Sequence, residues 1–373
     1  VIDDYTVQLG LVAPGRSGFG KMCLVNLVSQ KSWEESEGMV NDPVGSGPYK
    51  LESWLAGSTM TLTKNENSWK EIAQFETVNI NFIMDASQRT TALQTGEVDI
   101  FSSVQISDID YINELDGYSA YTVPSTQVDG LVINNDPSSI CADANVRKAI
   151  IYGIDNQAIA DIVYSGHAYA ANSPYSSAAP DYTDQWLETP GYEYDLEKAK
   201  EYFAASGLPE GTVLRIACQT AGNQEAIAVC VQSMLKEVGF EVEITSVEAS
   251  VLDSMMFSQP ETWDLLSHFW ICGGMLGGAF GHIEIEIMSN FFHVPEGELS
   301  DKLNAMSSEI AWCVDEEEKN AMIADLVNLI GEEGLMYGIA YPSFTYAMDD
   351  SLQNVRFSSD EVLQISEITR EQA

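Results

Sequence analysis

Apolar residues change their spacing several times along this chain, and each change marks an element. Tyr5, Val7, Leu9 and Leu11 alternate with Thr6, Gln8 and Gly10, the period of two that predicts an opening strand. Phe19 to Ser29, with Met22, Cys23, Val25, Leu27 and Val28, predicts a short buried helix. In Asn41 to Tyr49 (N-D-P-V-G-S-G-P-Y) two Pro and two Gly stop both helix and strand, so a rigid turn is expected. Tyr49 to Trp54 and Thr59 to Lys64 follow as a hairpin, with Met60 and Leu62 on one face of the second strand.

Helical and strand periods then alternate. Ser87 is the expected cap of a helix running to about Thr95 and stopped by Gly96, before Val98 to Phe101 returns to strand. Two helices abut between Asp143 and Gly166, one turning Val146, Ala149 and Ile150 inward, the other capped by Asp155 and burying Ile159, Ile162 and Val163. Asp195 caps a helix with Leu196, Ala199 and Phe203 inward and Gly207 at its end. A strand over Thr212 to Gln219, a helix over Asn223 to Val238 stopped by Gly239, and a strand from Phe240 make a strand-helix-strand unit with parallel strands. His282-x-Glu284-x-Glu286 alternates like an exposed strand. Asp315-x-x-Glu318 is a capping box for a last helix that Gly331 is expected to end.

The 373 residues are 45% hydrophobic and 20% charged, enough apolar material for a large core and, by length, for two domains. Seventeen Lys and Arg stand against 57 Asp and Glu, a formal net charge of -40 that repels phosphate backbones and anionic lipid, so nucleic acid is not an expected partner. No stretch approaches the roughly 20 consecutive apolar residues that cross a bilayer. The six cysteines form no C-x-x-C pair and are expected to be buried thiols. His282-x-Glu284-x-Glu286 lacks a third metal ligand, Gly45-Ser46-Gly47 lacks the G-K-[ST] of a phosphate loop, and no G-x-S-x-G elbow is present. No metal, cofactor or catalytic centre is expected. The strand from Trp263 runs through Phe269, Trp270 and Ile271 into Cys272, Gly273 and Gly274, where bare backbone beside aromatic rings suits a small-molecule site.

Several segments together resemble the extracytoplasmic solute-binding protein family 5, the peptide- and nickel-type binding components of ABC importers. Pro43-Val44-Gly45-Ser46-Gly47-Pro48-Tyr49 resembles the family's P-x-G-T-G-P-Y turn, and Asn65 to Trp69 its N-x-x-Y-W segment with Ser68 in place of Tyr. Arg89, Ala92-Leu93 and Gly96-Glu97-Val98-Asp99 are similar to R-x-x-A-L-x-x-G-E-V-D, and Val146-Arg147-Lys148-Ala149-Ile150 with Gly153-Ile154-Asp155 to V-R-x-A-I-x-x-A-I-D. Tyr194-Asp195 to Gly207 is similar to the family's Y-D-x-x-K-A-K helix.

The resemblance implies an α/β fold of the two-lobe periplasmic-binding-protein type (type II, large cluster), with mixed sheets flanked by helices and hinge crossings between lobes. Residues 1–128 with 342–373 would form the first lobe and 129–341 the second, with hinge candidates at Thr126 to Gly130 and Ala340 to Ser343. It implies a monomeric, non-enzymatic protein that works outside the cytoplasm, periplasmic or as a cell-surface lipoprotein. The protein would capture a peptide or similar small solute in an interlobe cleft and deliver it to a membrane ABC permease, without a cofactor. Phe269, Trp270, Ile271, Cys272, Gly273, Gly274 and Gln127 are the expected ligand-binding residues. Two departures from the family stand out. The chain opens where the family is partway through its first lobe, which implies weaker binding than in a longer chain. Peptide binders also carry W-x-x-D after the cleft strand, where Trp270-Ile271-Cys272-Gly273 has Gly in place of the acid that meets a peptide's amine. Trp263, Phe269, Trp270 and Phe280 would equally stack on sugar rings, so an oligosaccharide, a metal complex or a non-transporting receptor role remains an alternative.

Overall fold

The computed structural model of the chain describes residues 2–3, 5–10, 28–35, 39, 43–69, 73–188, 193–220, 222–274, 277–358 and 360–371. The helix expected over Phe19 to Ser29 lies, up to Leu27, outside them. The opening strand does not form: Asp3 and Thr6 make an isolated bridge, and Tyr5, Val7 and Leu9 are exposed. Alternation needs a partner strand and a core to cover one face, and among the described residues, which exclude Leu11, these have neither.

Two compact units divide the chain, one of Leu24–Pro124 with Ser343–Ala373, the other of Val1–Cys23 with Ser125–Pro342. The smaller unit begins with the short helix α1 (Gln30–Glu35). Strands β1 (Tyr49–Leu55), β2 (Thr59–Lys64) and β3 (Thr77–Asn81) then form an antiparallel sheet in that order, the first two being the expected hairpin. Helix α2 (Ala86–Gln94) starts two residues before a Ser87 cap would allow, because Asp85 holds the extended cap conformation and accepts the Gln88 N–H at 2.9 Å. Strand β4 (Ile100–Ser102), helix α3 (Ile106–Asn113) and strand β5 (Tyr118–Pro124) complete this stretch, with Leu93, Val104, Ile109 and Ile112 as its core.

In the larger unit β6 (Gln127–Ile133) is followed by α4 (Ala144–Tyr152), α5 (Asn156–Tyr164), β7 (Ala168–Ala170), α6 (Leu196–Ala205), β8 (Thr212–Gln219), α7 (Gln224–Val238) and β9 (Phe240–Val247). Next come α8 (Ala249–Ser258), β10 (Leu265–Ile271), α9 (Ala279–Met288), α10 (Glu298–Trp312), α11 (Glu316–Glu333) and β11 (Met336–Asp349). Asp143, Asp155, Asp195 and Asp315 cap α4, α5, α6 and α11, each carboxylate accepting a first-turn N–H that the helix leaves unbonded. The sheet runs β11-β6-β10-β8-β9: β6 is antiparallel to β10 and β11, while β8 is parallel to both β9 and β10. Past Pro342, β11 belongs to the smaller unit, where it pairs with β5 and β4 ahead of the short strands β12 (Leu352–Gln353) and β13 (Thr369–Arg370).

The pleat of this sheet feeds two cores. Leu131, Ile133, Ile216 and Leu265 pack with residues of α4 to α7, and Val128, Val132, Leu266 and Trp270 pack with residues of α8 to α11. Two expected features are corrected. Helix α11 passes through buried Gly331 and ends at Gly334, whose φ of 63° supplies the left-handed stop. His282, Glu284 and Glu286 lie on helix α9, not on a strand, because residues four apart in H-x-E-x-E share a helix face as readily as alternate residues share a strand face.

Candidate functional site

Register decides which candidates reach the surface. In the β6–β10 pair, Gln127 faces Ile271, Val128 faces Trp270 and Asp129 faces Phe269. Directly paired residues share a face, so Gln127, Asp129, Phe269 and Ile271 lie on one side and Val128 and Trp270 on the other. Trp270 is 4% exposed, and its indole N–H donates to the Pro174 carbonyl at 2.8 Å. The ring passes over Gly130, where an added Cβ would stand 2.7 Å from it and 2.2 Å from the Tyr337 carbonyl oxygen. Cys272 is buried, its N–H donates to Thr126 O at 3.0 Å, and burial pushes its thiol pKa up. Trp270 and Cys272 are therefore core groups, and Ile271, half-buried Phe269 and half-buried Gln127 are the side chains that reach outward.

The glycine loop after β10 is tied at both ends. Gly278 N–H donates to Gly273 O and Gly277 N–H to Gly274 O, both at 3.0 Å. Buried Asp181 then accepts the N–H groups of Ala279 and Phe280 at 2.8 and 2.9 Å, satisfying the start of α9 with a carboxylate where the helix dipole favours one. An added Cβ at Gly278 would meet Asp181 Oδ1 at 2.3 Å. Asp181 is the residue that sequence reading missed. It sits in a polar connector about a hundred residues upstream, with no periodicity to mark it.

A polar cluster lies on the Gln127 side of the strands. Asp129, 1% exposed, accepts Gln127 Nε2 at 2.7 Å, Gln224 Nε2 at 3.3 Å and the Tyr164 hydroxyl at close range. Gln219 Nε2 donates in turn to Gln224 Oε1 at 3.5 Å. Burial raises the Asp129 pKa, opposed by the bonds from Tyr164 and Gln127, and no charged side chain is among the groups acting on it. Burial likewise raises the Tyr164 pKa, reinforced by the charge of Asp129. Gln219 ends β8, Gln224 opens α7 and Ile271 ends β10, so the cluster occupies the carboxyl ends of the parallel strands, the usual ligand edge of open α/β sheets.

One edge of β10 is left unladdered at this end. The register with β8 stops at Ser267 opposite Cys218, so among the described residues Phe269–Ile271 is paired with β6 alone.

The histidine motif is a buried structural pair: His282 Nδ1 lies 2.9 Å from Glu286 Oε1, and the Tyr175 hydroxyl donates to Glu286 Oε2 at 2.7 Å. Burial works against the His282 imidazolium, but the charge of Glu286 and its hydrogen bond prevail and raise its pKa. Burial lowers His268 to about 4. Among the described residues no group of three or more His, Cys, Asp or Glu is placed to hold a metal. Cys141, Cys218, Cys230, Cys272 and Cys313 are unpaired thiols, while Cys23 lies outside the described residues. Trp263 and Phe280 are core residues. A groove of about 600 Å³ in the smaller unit, lined by Phe75, Ile80, Phe101, Phe357 and Leu363 among others, contains none of the candidates.

Residues 1–271 match the model described as bacterial extracellular solute-binding proteins, family 5 Middle. The oligopeptide-binding protein AppA of Bacillus subtilis is 26% identical over 344 residues, covering 87% of this chain and 61% of that protein. The nickel-binding protein NikA of Staphylococcus aureus is 20% identical over 322 residues, covering 85% of this chain and 63% of its own. The chain thus spans about three fifths of the length of these relatives. Among solved structures, a putative peptide binding protein AppA from Clostridium difficile superposes with a TM-score of 0.86 at 20% identity, over 100% of this chain and 78% of that one. That likeness carries the two-lobe-family α/β fold. No helix among the described residues is long and apolar enough to cross a membrane.

Proposed function

The chain belongs to the bacterial extracellular solute-binding proteins of family 5, and from that premise we propose that it captures a peptide or peptide-like solute along the end of β10 for delivery to a membrane ABC permease. The observation that carries this reading is the unladdered edge of Phe269–Ile271 beside the tied glycine loop. An extended peptide adds to such an edge through main-chain hydrogen bonds that ask little of its side chains. The open strand end, with Ile271 and Gln127 beside it, is the contact surface. Trp270, Trp263 and Phe280 are buried, so three of the four rings that would stack on a sugar are occupied in the core, which favours peptide over oligosaccharide. The protein acts outside the cytoplasm as a monomer, periplasmic or lipid-anchored, and turns nothing over.

Titration calorimetry with tri-alanine, a maltotriose, a nickel-histidine complex and hemin tests the assignment. Binding of the peptide, weakened by Ile271→Pro, is the expected outcome, because proline removes a main-chain donor from the strand. Binding of the sugar, the nickel complex or hemin in place of the peptide overturns it.

A further inference from the structure

Asp129 is a carboxylate out of reach of water that is bonded by amides and a phenol, with no cation in the group. An ionised carboxylate only accepts hydrogen bonds. Asp129 Oδ1 accepts from both Gln224 and Gln127, and Gln127, two residues away on the same face of β6, turns its amide nitrogen inward in the 2.7 Å bond to it. The amide carbonyl oxygen is then the end that points away from the carboxylate. Among the described residues no donor is bonded to that oxygen, and Gln127 is only half-buried. It stands directly opposite Ile271, the last residue of β10 before the glycine loop.

We propose that Asp129 is a positioning residue: by holding the Gln127 amide nitrogen inward it makes the end of the β6–β10 pair present a hydrogen-bond acceptor, so that the site selects solutes offering an N–H there. The inference rests on the reading that solute binds at this strand end and adds its chemical preference, a peptide amide or amine over an oxygen-only or N-alkylated equivalent. The same buried chemistry that costs the fold a desolvated carboxylate fixes the polarity of a half-buried amide, which in water would present either end. Gln219 and Gln224 extend the arrangement, since Gln224 directs its own nitrogen to Asp129 and its oxygen to Gln219.

The test compares tri-alanine with its two analogues N-methylated at one amide each, which separates the N–H that meets Gln127 from one that ladders onto β10, by titration calorimetry on the wild-type chain and three variants; the ratio read is that for the analogue whose discrimination depends on Gln127. Wild type is expected to favour tri-alanine about tenfold, the worth of one well-placed hydrogen bond. Asp129→Asn gives the side chain a donor of its own, lets the Gln127 amide reverse, and is expected to bring the preference to within about twofold. Asp264→Asn, which disturbs a buried carboxylate at the other end of β10, lowers the melting temperature but keeps the wild-type ratio, separating selectivity from stability. Asp129→Asn with an unchanged ratio overturns the positioning role while leaving the functional reading in place. Gln127→Leu with unchanged affinity for all three peptides places the solute elsewhere, and overturns the functional reading together with the inference built on it.

Discussion

Arg215 on β8 and Asp264 at the foot of β10 meet as a two-pronged ion pair: guanidinium Nε and Nη2 each donate at 2.9 Å to a separate oxygen of a carboxylate that is 1% exposed. Asp264 also accepts the Arg215 backbone N–H at 2.9 Å and the Ser139 hydroxyl at 2.7 Å, so one side chain satisfies four donors and joins the parallel strand pair to the connector after β6. Such a group is costly to remove because its partners are left unbonded. Arg215 is one-third exposed and rehydrates in part, so Asp264→Asn should cost about 2–3 kcal/mol rather than the larger figure for a fully buried pair. Urea unfolding should show this as a lower midpoint with an unchanged slope.

Asp181→Ala should release the start of α9. Losing a carboxylate that accepts two helix N–H groups costs about 1–2 kcal/mol, and the local effect should be larger than the global one. Hydrogen exchange checks it: the amides of Ala279 and Phe280, and those of Gly277 and Gly278 bonded within the loop, should lose protection while amides of β8 keep theirs.

Gly130→Ala should destabilise by about 1–3 kcal/mol through overpacking. Trp270→Phe should not rescue it, because the nearest obstruction, 2.2 Å from the new methyl, is the Tyr337 carbonyl of the neighbouring strand rather than the indole. Thermal melts of the two single variants and the double variant decide this. Recovery in the double variant would assign the glycine to the tryptophan alone.

Acid should weaken the fold through His268. Its folded pKa of about 4 lies below the unfolded value near 6.5, so the unfolded chain takes up the proton first and stability falls as pH drops from about 6.5 towards 4. His282 has the opposite sign: its raised pKa contributes stability that is present below about 6.5 and lost as pH rises through the folded value. Between pH 7.5 and 5, wild type should lose on the order of 2 kcal/mol more than His268→Leu, which cannot titrate there. Parallel denaturant titrations at the two pH values measure the difference, and equal losses would show that His268 protonates freely in the folded chain.

Moderate salt should raise the melting temperature. A net charge of -40 repels itself over the surface, and raising ionic strength to about 0.1 M shortens the screening length to about 10 Å. A melting temperature that stays flat or falls from low to moderate NaCl would place the balance with stabilising ion pairs instead.

The sequence by itself determined the elements whose two ends and buried face are all local. β8, α7 and β9 follow the predicted limits closely, because Gly239 terminates the helix and both periods bury a continuous stripe. The capping aspartates at 155, 195 and 315 were legible for the same reason: a cap bonds to residues within its own first turn. The strand running into the glycine loop was also legible, as β10 and its tied turn. Tertiary structure decided the rest. Tyr5 to Leu9 alternate as well as any strand here and stay exposed, since periodicity does not supply a partner. H-x-E-x-E satisfies both periods, and the helix is settled at its start by Asp181, a residue no window around His282 contains. Trp270 and Ile271 are adjacent in sequence, yet one is sealed in the core and the other open, because pairing with β6 sets which way the pleat turns and Gly130 leaves room for the ring. The polarity of Gln127 depends on Asp129, whose burial is made by Tyr164 and Gln224 from two helices. Local spacing specifies what a chain segment can become; which of its faces meets water is fixed by neighbours that only the folded sheet brings together.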